Sequence, residues 1–168
     1  MKKIGIFFGS STGATQEVAE KIGNKLGVDS ADIKDISDAS VKDFADYDVL
    51  VLGTSTWGDG DLQDDWMDLE DDLKALDLSG KTVALFGLGD GGSFGESFCG
   101  GMGQLYNLLQ DSKAKFVGAT DPEGYDFSDS PSLIDGVFVG LALDEANEYD
   151  LTDGRIDAWF EKIQPELN

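Results

Sequence analysis

Histidine is absent from this 168-residue chain, and cysteine occurs once, at Cys99. Those absences exclude a Cys/His zinc site, an iron–sulfur cluster ligated by cysteines of one chain, and an intrachain disulfide. They also exclude nucleophilic catalysis by a Ser–His or Cys–His pair. Positive charge is scarce, with 12 basic residues against 34 acidic ones and a formal charge of −22. Nucleic acids and anionic membranes both ask for clustered Lys and Arg, so neither is an expected partner. A basic protein is the natural complement, drawn in by long-range attraction. Long hydrophobic runs are missing as well. "MKKIGIFFGSSTG" joins two lysines to an apolar patch, as a signal peptide does, but the patch is short and breaks into Gly-Ser-Ser-Thr. No stretch is long enough to span a bilayer, and the expectation is a soluble, cytoplasmic, monomeric protein.

What is present suffices for one core. The hydrophobic share is 40%, too high for wholesale disorder, and the length suits a single domain over residues 1–168. "KIGIFF" (3–8), "DVLVLGT" (48–54), "TVALFGL" (82–88) and "FVGLAL" (138–143) are continuous apolar runs, the mark of strands buried on both faces. "KFVGAT" (115–120) is a further strand candidate and "SADIK" (30–34) a weaker one at an edge. Between them apolar residues step by three or four, at Trp66, Leu69, Leu73 and Leu76, at Phe98, Met102, Leu105 and Leu109, and at Ile156, Trp159, Phe160 and Ile163. Each set is one helix face. The alternation predicts an α/β fold, a parallel sheet with helices on both faces. The turn-rich segment 121–136 has no clear period and is expected as a surface excursion inside or beside the last strand.

In an open parallel sheet, ligands bind beyond the carboxyl ends of the strands. Three loops lie there: "GSSTGAT" (9–15), "STWGDGD" (55–61) and "GDGGSFGESF" (89–98). The first offers the hydroxyls of Ser10, Ser11, Thr12 and Thr15 and the free amides of a helix start, where an anion is favoured. It has no lysine and does not match GxxxxGK[ST], so nucleotide triphosphate chemistry is not supported. Neutral donors suit one phosphate monoester that is held rather than transferred. A hydroxyl-rich helix cap is the alternative. Trp57 and Phe94 stand on the other two loops, where two aromatic faces can sandwich a flat ring; folding back onto their own helices is the alternative. "GLGDGG" (87–92) formally fits G-x-G-x-x-G, but no clear helix opens at its last glycine.

The phosphate turn after the first strand, the tryptophan loop after the third and the aromatic loop after the fourth together resemble the flavodoxins. The resemblance runs from "KIGIFFGSSTGAT" through "DYDVLVLGTSTW", "GKTVALFGLGD" and "GYDF" to "FVGLALDE" and "LTDGRIDAWF", essentially the whole chain. It implies a flavodoxin-like doubly wound sheet of five strands in the order 2-1-3-4-5, the last one interrupted by the insertion that marks long-chain members. It also implies one non-covalent FMN, and a low-potential one-electron carrier rather than an enzyme with its own substrate. Basic redox proteins, such as a flavodoxin or ferredoxin reductase and an acceptor or donor complex, would be the partners. By position, Ser10, Ser11, Thr12, Gly13, Ala14 and Thr15 would hold the phosphate. Thr56 and Trp57 would border the inner ring face and Phe94 the outer one. Gly58, Asp59 and Gly60 would meet the edge near N5. Leu88, Gly89, Asp90 and Cys99 would face the pyrimidine end, with Ser97 and Phe98 in the same loop. The outer stacking position is commonly Tyr and is Phe94 here. Gly100 and Gly101 sit where a helix should start, each costing up to ~1 kcal/mol against Ala.

Two levers would set the flavin's energies. A Gly58–Asp59 carbonyl turned toward a protonated N5 would stabilise the one-electron-reduced state by ~1 kcal/mol, roughly 40 mV. Carboxylates would disfavour the anionic reduced ring, but one charge at ~15 Å across water contributes only ~0.3 kcal/mol, so the near residues Asp59, Asp61 and Asp90 outweigh the total. The acidic run 59–72 has no EF-hand spacing and is expected to dock basic partners. Other readings are weaker. A receiver domain needs acidic residues where "FFGSSTG" and "LGTSTW" stand. An FMN-dependent NAD(P)H:quinone reductase needs a second pocket with a basic group for pyrophosphate. A structural phosphate-binding module would not be yellow with added FMN.

Overall fold

The computed structural model describes residues 2–10, 12–57 and 60–167. Its central sheet is parallel throughout, with β2 (Ile33–Asp35), β1 (Ile4–Gly9), β3 (Val49–Thr54) and β6 (Thr82–Leu88) side by side in that order. The fifth position is shared. β7 (Lys115–Val117) pairs with the first half of β6 and β10 (Leu141–Leu143) with the second. The last strand is therefore split end to end, and residues 118–140 leave the sheet between its halves. The order is the expected 2-1-3-4-5.

β1, β3 and β6 read as unbroken apolar runs because alternate residues enter different cores. Phe7, Leu50, Leu52, Val83 and Leu85 face one layer of helices, while Ile6, Phe8, Val49, Val51, Ala84 and Phe86 face the other. The second layer consists of α1 (Ala14–Leu26) and α5 (Thr152–Ile163), packed through Val18, Ile22, Ile156, Trp159 and Ile163. The first contains α2 (Asp64–Met67), α3 (Glu70–Lys74) and α4 (Gly100–Leu109). Two small hairpins complete the chain: β4 (Thr56–Trp57) with β5 (Asp61–Leu62), and β8 (Leu133–Ile134) with β9 (Val137–Phe138).

Four expectations shift. Residues 30–32 form a short 3-10 turn, and the edge strand begins only at Ile33. The stepped residues Trp66 to Leu76 do not share one helix: Trp66 lies on α2 and Leu73 on α3, with Leu69 at the break between them (φ −102°, ψ 10°) and Leu76 beyond α3. Trp66 enters under β3, its indole donating to the Gly53 carbonyl at 2.8 Å, and Leu73 is fully buried one break later. The run 138–143 is not one strand: Phe138 belongs to the β8–β9 hairpin and only Leu141–Leu143 to the sheet. The excursion is longer than 121–136 and carries that hairpin. Among the described residues, no helix is long and apolar enough to cross a membrane.

Two tyrosines brace the fold. The Tyr47 hydroxyl donates to Asp32 at 2.9 Å and that of Tyr125 to the Ala142 carbonyl at 2.6 Å. Burial pushes both phenols up to about 12, and for Tyr47 the Asp32 carboxylate adds to the rise. A folded pKa above the unfolded one means the stabilisation is complete below about pH 10 and is lost as pH rises through about 12. In an ultraviolet titration, two of the four tyrosines should ionise only near pH 12, together with unfolding.

Candidate functional site: a cleft at the carboxyl ends of the strands

Where β1, β3, β6 and β10 end, the loops enclose a cleft of about 490 Å³. Thr12, Ala14 and Thr15 line one end; Thr56, Trp57, Leu88, Gly89, Asp90, Phe94, Ser97 and Cys99 line the rest. Those eleven sequence-derived candidates thus share one cavity. Ser10 and Gly13 shape the turn instead: the Ser10 hydroxyl accepts the Gly13 amide at 3.0 Å, and Gly13 takes φ 94°. Phe98 points away, into an aromatic cluster with Tyr125, Phe127 and Phe138. Gly60, at φ 99°, is buried against the start of α4. Ser11, Gly58 and Asp59 lie outside the described residues.

Among the described residues no side chain caps α1, so the first-turn amides keep their capacity to hold an anion. Trp57 and Phe94 are 43% and 44% exposed, far from the near-total burial of Trp66 and Trp159. They do not fold back into a core; they stand at the cleft.

Three lining residues escape the sequence reading: Ser55, Glu145 and Ala146. The last two follow β10, and the strand-end rule that found the other loops applies equally to that one. Glu145 is partly buried, and burial raises its carboxyl above the usual range, opposed by the Thr152 hydroxyl donating at 2.8 Å. Ser55 carries a buried hydroxyl with no hydrogen-bond partner among the described residues. An orphaned buried hydroxyl on the cleft wall is what a polar ligand would satisfy. Volume, neutral donors, aromatic walls and this orphan fit a phosphorylated flat molecule, and no Lys or Arg lines the cavity.

The two glycines that open α4 have a steric reason. A Cβ on Gly100 would stand 2.7 Å from the Gly60 Cα, and one on Gly101 2.6 Å from the Ser55 carbonyl oxygen. Close approach lets Thr56 Oγ1 accept the Gly101 amide at 3.1 Å and Gln104 donate to the Gly60 carbonyl at 2.5 Å. The helix thus grips the Trp57 hairpin, which offsets the helix propensity lost to glycine. Cys99, just before α4, adopts φ 52°, and the Ser132 hydroxyl from the excursion donates to its carbonyl at 2.5 Å. Its thiol is fully buried, and burial pushes it well up, which suppresses the thiolate at neutral pH.

The excursion is part of this scaffold. Ser128 and Asp129 amides donate to the Gly95 carbonyl at 2.6 and 2.9 Å, the Phe98 amide donates to Asp129, and Ser130 donates to Phe98. Phe127 stacks on Phe98 with ring centroids 5.3 Å apart.

A doubly wound sheet with an uncharged anion turn at one end of its cleft and two exposed aromatic rings further along defines a holder of phosphorylated planar ligands. Residues 6–159 match the family model for flavodoxin. The chain is 44% identical over 166 residues to the flavodoxin of Nostoc sp. (strain PCC 7120), covering 99% of this chain and 98% of that one. It is 46% identical over 166 residues to flavodoxin 2 of Escherichia coli K12, covering 98% and 96%. Fusobacterium nucleatum flavodoxin, solved bound to flavin mononucleotide, superposes with a TM-score of 0.91 at 36% identity over the full length of both chains. A lysine-to-glycine mutant of that protein, also bound to flavin mononucleotide, gives 0.92 at 38%, over 100% of this chain and 98% of that one. The chain belongs to the flavodoxin family.

Proposed function

We propose that this chain carries single electrons between larger redox proteins on one non-covalently bound FMN, with no substrate of its own. The observation that carries this reading is the cleft, which joins the uncapped phosphate turn to the two aromatic walls without any cation. Thr12, Ala14 and Thr15 would hold the phosphate, and Trp57 and Phe94 would clamp the ring. When bound, FMN supplies the one-electron oxidation and reduction. The chain's part is to fix the ring, exclude water from its faces and surround it with the carboxylates Asp90 and Glu145, which disfavour added negative charge and so lower the potential. Partial exposure of both aromatic walls leaves a ring margin at the surface, where a partner can reach it.

FMN titrated into apoprotein should bind tightly, and the loaded protein should show two resolved one-electron steps in a spectroelectrochemical titration. A single two-electron step, or turnover with NAD(P)H and a quinone without a partner protein, would overturn the carrier reading.

Glu145 supplies a second check. Its carboxylate shares the cleft with the phosphate turn, so Glu145→Gln should tighten FMN by about 3- to 10-fold at pH 7 and leave riboflavin unchanged, as ~1 kcal/mol of lost repulsion implies. Because burial raises this carboxyl, the ionised form that repels prevails only above its raised pKa, and the gain should shrink as the carboxyl takes up its proton on acidification.

The partner face begins beside the cleft. Asp61, Asp64, Asp68, Glu70, Asp71 and Asp72 point outward while Trp66 and Leu73 turn in. Lys74, the near cation, is paired with Glu70 at 2.8 Å. Electron exchange with a basic redox protein should slow as ionic strength rises, and a salt-independent rate would count against docking here.

A further inference from the structure

The 90–95 loop carries Phe94 and begins at Asp90, yet neither residue is packed into a core. Its position is set from outside the loop. The Asn147 side-chain amide donates to Asp90 Oδ1 at 2.7 Å and to both Asp144 oxygens at 3.0 and 3.2 Å. Asp144 is almost fully buried and also accepts the Gly91 amide at 3.1 Å and the Asn147 backbone amide at 3.0 Å. Two carboxylates thus converge on one NH2 group, which is the side-chain link between them. Asp90 passes the constraint on: its Oδ1 accepts the Ser93 amide at 2.9 Å, and its carbonyl accepts the Phe94 amide at 2.8 Å. The loop runs so close that a Cβ on Gly92 would lie 2.8 Å from Asn147 Oδ1.

We propose that Asn147 is a positioning residue: by bridging Asp90 to the buried Asp144 it ties the 90–95 loop to the end of β10 and so sets where Phe94 stands over the cleft. Aspartate would put a third carboxylate beside two, aliphatic residues would leave the two facing each other, and a cation would neutralise charge beside the ring. The bridge acts at the ring end, not at the phosphate end. The proposal rests on the FMN reading above for its consequence, but the latch itself is a property of the apoprotein.

Two variants test it: Asn147→Ala and Asn147→Asp. FMN and riboflavin affinities are measured alongside hydrogen exchange of the Gly91 and Ser93 amides in the apoprotein. Asn147→Ala should weaken FMN about fivefold, the equivalent of one hydrogen bond, and Asn147→Asp at least tenfold. Riboflavin should lose as much as FMN, and both amides should exchange faster. Should Asn147→Asp fail to fold, the alanine variant carries the test alone. Affinities within twofold of wild type with unchanged exchange, or a loss confined to FMN, would each overturn the latch. Failure of the unaltered protein to bind FMN would instead overturn the functional reading, while faster exchange in the variants would still support the latch.

Discussion

Removing both aromatic walls, Trp57→Ala together with Phe94→Ala, is expected to weaken FMN binding by about 1,000-fold. Stacking on an aromatic side chain contributes ~1–3 kcal/mol per face, so two faces give about 4 kcal/mol, and each 1.4 kcal/mol is tenfold. The fold should survive, because the rings are 43% and 44% exposed and surface changes move stability by only ~0.5 kcal/mol each. Melting of the apoprotein should therefore shift by no more than a few degrees. Recovery of flavin fluorescence on dilution measures the affinity without relying on tryptophan emission. Each single variant should lose about 30-fold. A double variant within tenfold of wild type would mean the ring lies elsewhere than between these residues.

Trp66→Ala should give the reverse pattern, a large loss of stability from a site that touches no ligand. Trp66 is fully buried, and its indole donates to the Gly53 carbonyl in the middle layer of the molecule. Truncation removes a large ring and leaves that carbonyl without its indole donor, costing ~3–5 kcal/mol. For a domain of this size, that is a fall of roughly 10–15 °C in Tm. Trp66→Phe keeps most of the volume, loses the hydrogen bond and should cost about 1–2 kcal/mol. Calorimetry of the apoproteins separates the two. Equal melting temperatures for Trp66→Ala and wild type would show that the α2 region contributes nothing to cooperative unfolding.

The contrast between these two tryptophans was partly legible in the sequence. Trp66 steps with Leu69 and Leu73, which marks it as core; Trp57 directly follows an apolar run, which marks it as a strand-end residue. The strands β1, β3 and β6 were legible because burial on both faces leaves no polar residue to interrupt them. The fifth strand was less so. Two candidates, 115–120 and 138–143, compete for one position, and local pattern cannot say that they share it by each pairing with half of β6. The break between α2 and α3 was hidden because apolar spacing continues across it while the backbone does not. In the cleft, the loops after β1, β3 and β6 announce themselves through glycines, hydroxyls and aromatics, whereas Glu145 and Ala146 stand in a stretch, 144–148, that has none of these. The role of Asn147 is not legible locally, since Asp90, the partner that ties it to the 90–95 loop, stands 57 positions away.

The divided fifth strand has an outcome at the molecular margin. Both lateral borders of the sheet are three-residue pieces, Ile33–Asp35 on one side and the separate halves Lys115–Val117 and Leu141–Leu143 on the other. A foreign β-segment seeking to extend the sheet meets no long rail of unsatisfied peptide groups, only short tracks broken by a departing chain. Mutual repulsion among molecules of charge −22 adds to that barrier. A carrier that must collide constantly with other proteins is thereby built to part from them again.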